Sequence, residues 1–282
     1  MATNSGSSSA APWRAQFLSD IKQMEQPSFT FTSLHSSSSS SVPRARTCIY
    51  RGLWASLPPN DKNNAPRNPD LYESDMPVLT SDARMDKVPE IYSSGPSSGG
   101  EQDDVSHSGG GGPVEAMFWA VPMGTQWRIR GRAWVLSASD IASDGAGARA
   151  VRSALLARMR GPGGKGEEAD WDWEREVVGH FGNLSPGMRG SFKNPSPGTP
   201  RAKEPGPGEG LGQKVGDELL DDELARRNFR VVVIVPDEVD LVNLKDPADQ
   251  RRWLYTYVGS GAKATKPGGK VEGEWEVVEL WP

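Results

Sequence analysis

The residues with chemistry to offer are arginines and lysines set inside β-rich segments. Arg44, Arg46 and Arg51 bracket the stretch RARTCIYR, and Arg84 and Lys87 follow a short strand. Arg128, Arg130 and Arg132 alternate with Trp127, Ile129 and Gly131, and Arg252 opens a late strand. A cation on a strand must be solvated, paired or bound to an anion. Cations beside a strand–turn–helix suit a phosphate, because charge-assisted bonds and a helix start favour it. Ordinary solvated strand faces explain them equally, and spacing alone leaves both readings open.

Other chemistries are poorly supplied. His35, His107 and His180 lie far apart, so a metal site or a histidine-based triad is not expected. Cys48 stands alone, which excludes an intrachain disulfide and a cysteine-only zinc site. There is no GxGxxG opening a helix. The glycines Gly109 to Gly112 sit in a polar stretch and read as flexible linker. No residue stands out as a general acid or base. A net charge of −5 argues against coating nucleic acid or an anionic membrane, while leaving room for one local phosphate site. Apolar runs such as Val231 to Pro236 are too short to cross a bilayer, and the first residues lack the pattern of a secretory signal. The expectation is a soluble, cytoplasmic protein with no nucleic-acid or membrane partner.

These side chains need elements to hold them. Pro12 to Met24 places Trp13, Phe17, Ile21 and Met24 at helical spacing after a proline in the first turn. Phe29 to Leu34 alternates as a strand, and Pro43 to Trp54 reads as a central strand. Val78 to Ser81 is a short strand, and Asp82 caps a helix in ARMDKVPEIY. Val114 to Val121 and Gln126 to Leu136 form a hairpin around Pro122-Met123-Gly124, its second strand basic on one face and apolar on the other. Ala148 to Arg160 and Trp171 to Phe181 are helical. Phe229 to Val235 is a buried strand, and Arg252 to Val258 pairs with Trp275 to Leu280. The class is mainly β with flanking helices (α+β), and a β-barrel leaves the fewest unpaired edges. One domain over 12–282 is expected, with polar insertions near 36–42, 58–70, 93–113, 200–216 and 259–273 and a disordered N-terminus over 1–11.

The order PRARTCIYRG, then LTSDARMDK with an apolar-periodic helix, then FW, then QWRIRGRA resembles the flavin-binding half of pyridoxamine 5'-phosphate oxidases. It is most similar to their FMN-binding relatives of unassigned substrate. NFRVVVIVPDEVDLVNL, RRWLYTY and WEVVELWP resemble the later part of that fold. The resemblance implies an FMN-binding split barrel that forms a homodimer, with flavin mononucleotide (FMN) in a cleft between subunits. It puts Arg46 at the phosphate-side strand, with Thr47, Cys48 and Ile49 along the flavin through their backbone and Arg51 closing the stretch. Thr80 and Ser81 fall on the hydroxyl pair of the next strand, and Lys87 on the lysine of the turn and helix, with Arg84 as a neighbour. Gln126 and Arg252 fall on the hairpin glutamine and the late arginine. Trp119, Trp127 and Trp253 serve either as the bed of the ring or as barrel core.

Two departures bear on function. The oxidases carry an arginine and a histidine upstream of the late arginine for the vitamin phosphate, and here those positions are Ala248 and Gln250. Their tryptophan after the late strand falls near Val242. The implied function is therefore an FMN-dependent oxidoreductase of another substrate, or an FMN-binding protein without turnover. In HFGNLSPGMRGSFKNPSPGTP, Ser185, Arg189 and Lys193 fit an anionic substrate group or a rigid surface loop equally well.

Overall fold

The computed structural model describes residues 9–36, 40–95, 107–161 and 170–282. Helix α1 (Arg14–Lys22) precedes strands β1 (Ser28–Ser36), β2 (Ser41–Ile49), β3 (Glu73–Ser74) and β4 (Val78–Asp82), then helix α2 (Lys87–Ser93). Strands β5 (Gly109–Ala120) and β6 (Thr125–Leu136) form the long hairpin, with Gly124 left-handed at φ 63° in its turn. Next come α3 (Ala146–Leu156), β7 (Met159–Arg160), α4 (Trp173–Gly182), α5 (Pro186–Gly190) and α6 (Glu223–Asn228). The chain closes with β8 (Phe229–Asn243), β9 (Arg251–Tyr257), β10 (Lys270–Glu272) and β11 (Trp275–Leu280).

The main sheet is antiparallel, in the order β10-β11-β9-β8-β6-β5-β1-β2, with β4 also on β8. Just past β2 the chain bonds to the free side of β4: the Arg51 amide donates to the Val78 carbonyl at 2.8 Å, and the Val78 amide to the Gly52 carbonyl at 2.9 Å. These bonds close β1, β2, β4, β8, β6 and β5 into a barrel. It is split along β8, which pairs with β4 over Phe229–Val233 and with β9 over Glu238–Asn243.

The unbroken apolar run of β8 now has a cause. Val232 and Ile234 face the barrel interior with Phe29, Phe31, Phe118, Trp127 and Ile129. Val231, Val233 and Val235 face a second core built with α3, α4 and Phe229. A strand buried on both faces has no polar alternation to show. Strand β6 has one wet face and alternates as its sequence does: Trp127 and Ile129 are buried, and Arg128 and Arg130 are not.

Five expectations need correction. Strand β2 is an edge strand rather than a central one, and Ser41–Ala45 are exposed. The glycine run is buried strand, since β5 starts at Gly109 and Gly109–Gly112 are all covered. Helix α2 lies so close that a side chain on Gly112 would meet the Ile91 carbonyl at 2.5 Å, and Gly110 sits at φ +105°. Close approach and a left-handed backbone both demand glycine. Asp82 caps no helix: its carboxylate accepts from the Arg84 amide at 2.8 Å, and α2 starts five residues further on, at Lys87. Strand β10 also interrupts the loop expected over 259–273. At the other end, the Ala11 amide is fixed to Asp75 at 2.8 Å, so order begins before residue 12. The remaining part of the 1–11 expectation, residues 1–8, lies outside the described residues, as do 37–39 and 96–106 of the proposed insertions.

Candidate functional site

The turn from β4 into α2 positions the first group. Asp82 grips the Arg84 guanidinium through Nε at 2.9 Å and Nη2 at 2.7 Å. Arg84 also bonds Glu209 and the carbonyls of Phe192 and Asn194. That cation is used up in fixing the turn. Lys87 points inward and is only 7% exposed. Its Nζ donates to Ser81 Oγ at 3.1 Å and lies 3.0 Å from Met85 Sδ. Among the described residues no carboxylate pairs with it. Burial lowers its pKa, and the nearby Arg46 charge adds to that, against Cys48, Asp82 and Glu90. A buried ammonium whose direct contacts are a hydroxyl and a thioether favours the arrival of an anion.

Arg46 stands close by on β2, opposite Phe31 of β1. Its Nη1 donates to Ser33 Oγ at 2.5 Å and to the Arg44 carbonyl at 3.1 Å, and its Nη2 to Glu90 Oε2 at 2.8 Å. Glu90 is buried in α2, takes a second bond from Ser33 Oγ at 2.5 Å, and has His35 Nδ1 at 3.4 Å. Sequence reasoning missed Glu90; the available signal was an acidic residue one helical turn beyond Lys87. Cys48, two residues along β2, lies in the barrel core. Burial pushes its thiol up, against Lys87 and Arg46, so it stays protonated.

Arg46, Cys48, Ser81 and Lys87 are thus brought together at one end of the barrel. Thr80, half-buried, points to the other face of β4. Thr47 and Ile49 point away from the barrel interior on an edge strand, where alternate N–H and C=O groups face no strand. Gln126 is on the outward face of β6, in register with Trp119 on one side and Val242 on the other, and Val242 is in register with Arg252. Arg252 holds Asp240 with Nε at 3.0 Å and Nη2 at 2.7 Å, and Arg128 shares the same carboxylate at 2.6 Å. Trp127 is barrel core with its Nε1 on Asp20 at 2.9 Å, whereas Trp119 is 42% exposed. Arg51 turns elsewhere, into a cavity beside α1 and α4.

The segment after α4 is built into the scaffold. Ser185 caps α5 through the Met188 amide at 3.3 Å. Arg189 is fully buried and bonds the Val215 carbonyl at 2.9 Å, the Gly182 carbonyl at 3.0 Å and the Asp217 carboxylate. Lys193 pairs with Asp222 at 2.6 Å. Among the described residues no cluster of histidine, cysteine, aspartate or glutamate could hold a metal ion, and no helix is long and apolar enough to cross a membrane.

A mostly antiparallel sheet closed into a barrel and flanked by a few helices is the fold of the FMN-binding split-barrel neighbours. Residues 10–137 match the family model described as the FMN-binding domain of pyridoxamine 5'-phosphate oxidase. A pyridoxamine 5'-phosphate oxidase-related, FMN-binding protein from Nostoc punctiforme has the same fold: 17% identity, a TM-score of 0.55, and 97% of this chain covered against 100% of that one. An uncharacterized protein of Saccharomyces cerevisiae, YGR017W, is 26% identical over 117 residues, which is 39% of this chain and 34% of that one. The matched part of this chain therefore spans about a third of that curated relative.

Proposed function

We propose that this chain binds FMN and acts, as a homodimer, as an FMN-dependent oxidoreductase of a substrate other than the vitamin phosphates. The observation that carries the reading is Lys87, a buried cation bonded to a hydroxyl and to no carboxylate. A phosphate is a fitting anion: Lys87 and Ser81 supply a charged and a neutral donor, and Arg46 adds a fork by turning from Glu90. The free edge of β2 at Thr47 to Ile49 suits the amide-like rim of an isoalloxazine ring. When bound, flavin supplies the electron-carrying chemistry, and the protein's part is to bind it, orient it and exclude competing reactions. Gln126 and Arg252 lie on the outward face, where a second subunit would bring them to the cleft that the family resemblance implies.

One observation favours a second reading, an FMN-binding protein without turnover. The carboxylate nearest the group, Glu90, is held by Arg46 and Ser33, and Cys48 is kept as a thiol, so no proton acceptor stands ready. The purified protein separates the two. We expect it to be yellow, to release FMN on denaturation as identified by mass, and to scatter light as a dimer of the 30.5 kDa chain. Bleaching by a nicotinamide donor supports the oxidoreductase, and a spectrum unmoved by either nicotinamide cofactor supports the binding protein. Released FAD, or no flavin after reconstitution, ends both readings.

Ala248 and Gln250 lie exposed in the loop before β9 and offer neither a cation nor an imidazole. Turnover of pyridoxine or pyridoxamine 5'-phosphate should therefore be negligible. A rate near the enzyme median of about 10 per second would contradict this.

A further inference from the structure

Between α1, the end of β2, residues 58–60 and α4 lies a cavity of about 540 Å³. Leu18, Ile21 and Met24 of α1 and its following turn give it an apolar wall, and Tyr50, Arg51 and His180 face it from the other elements. Each of those three carries a buried polar atom with no partner among the described residues: Tyr50 Oη, Arg51 Nε and His180 Nε2. Buried polar groups normally find partners, and the walls of this cavity hold three that have none among the described residues.

Of the other polar residues around it, the two asparagines are spent. Asn60 Nδ2 donates to the Asn183 carbonyl at 3.5 Å and Asn183 Nδ2 to the Pro58 carbonyl at 2.8 Å, which ties the loop to α4. Lys22 lies exposed at the rim. His180 is 2% exposed and stacks on Trp54 with centroids 6.1 Å apart. Burial, and then the Arg51 charge, bring its pKa down to about 3, so it faces the cavity as a neutral ring. Glu176, one turn earlier on α4, is 3.9 Å from His180 Nε2; Asn68 holds its other oxygen at 3.0 Å, and burial raises its pKa. No carboxylate pairs with Arg51 among the described residues.

We propose that this cavity binds a small organic carboxylate with an apolar body, its anion on Arg51 with Tyr50 and His180 beside it, and its body against Leu18, Ile21 and Met24. A guanidinium fork matches a carboxylate in shape and charge. One buried cation with two neutral groups balances a monoanion and leaves a phosphate dianion short. The volume suits a ligand of one or two rings. Of the residues around the cavity, none belongs to the Lys87 group, while Arg51 is also the residue that the family resemblance puts at the end of the flavin stretch, so FMN affinity is followed beside ligand binding in every variant.

The test is calorimetric titration of the full chain with 1-naphthoate, its neutral analogue 1-naphthamide, and 1-naphthyl phosphate. Naphthoate should bind at least about tenfold more tightly than the other two. Arg51→Met should weaken naphthoate by at least about tenfold and leave naphthamide unchanged, with Arg51→Lys between them. Met24→Trp, which narrows the cavity at its apolar wall, should weaken binding of all three by at least about tenfold while FMN affinity stays at the wild-type value. Equal binding of naphthoate and naphthamide overturns the proposal. So does naphthoate affinity untouched in Met24→Trp, or a preference for the phosphate. Should Arg51→Met fail to fold by circular dichroism, the ligand comparison and Met24→Trp decide alone.

Discussion

Arg189 and Lys87 are both cations taken out of water, and they are treated in opposite ways. Arg189 is fully buried and saturated, with two carbonyls and a carboxylate around its guanidinium. Lys87 is nearly as buried, yet among the described residues a hydroxyl and a thioether are all it touches in hydrogen-bond range. Both belong to segments where a cation suggests anion binding, and residue type does not separate them. Completeness of pairing does: a saturated cation holds the scaffold together, and an unsaturated one awaits a ligand. Arg46 stands between the two, tied to Glu90 but only by one face of its fork.

The contrast can be broken by substitution. Arg189→Ala should be the most damaging change. It strands Asp217 and two carbonyls and should cost about 3 kcal/mol of stability, read by chemical denaturation, with little direct effect on FMN. Undiminished stability would remove Arg189 from the scaffold class. Acid should act next. The pKa of His180 is depressed to about 3 in the fold, so the unfolded chain takes up the proton first and stability falls as pH drops below about 6.5. By pH 4.5 the loss should be roughly 2–3 kcal/mol, and His180→Phe should flatten that slope. An unchanged slope in the variant would contradict the neutral, buried ring.

Arg46→Ala should lose about 2 kcal/mol of FMN binding by fluorescence titration, and some stability as well, because Glu90 is left buried without its cation. Adding Glu90→Gln should restore the stability and not the affinity. Affinity recovered in the double variant would make Arg46 a mere partner of Glu90. Arg252→Ala should be mildest, below about 1 kcal/mol in stability, since the pair is partly exposed and Arg128 still holds Asp240. A loss as large as that of Arg189→Ala would show that the triad is a core element.

Much of this could be read from residues alone. The Arg/Trp alternation of β6, the Pro-Met-Gly turn before it and the apolar run of β8 each fix their own local geometry, because their periods report which faces are wet. What failed depended on distant chain. Gly109–Gly112 look like linker unless α2 is known to press on them, and β2 looks central until its edge is seen. Arg189 cannot be recognised as scaffold from its neighbours, since Val215 and Asp217 lie some two dozen residues on. Lys87 was legible as one of several cations beside a strand, the family resemblance singled it out, and its lack of a carboxylate among the described residues is seen only in the fold. The cavity at Arg51 joins α1, β2 and α4, three segments that no local pattern connects.

The most direct test of the account is an FMN titration of Lys87→Met beside a melting curve of the same apo-protein. The folded-state pKa of Lys87 is lowered, so in the empty protein its charge opposes folding below its unfolded pKa, and removing it costs no stability at neutral pH. The account predicts FMN affinity at least about thirtyfold weaker, or about 2 kcal/mol, with the melting temperature equal or higher. Wild-type FMN affinity together with a lowered melting temperature would make Lys87 a scaffold cation like Arg189 and contradict the account.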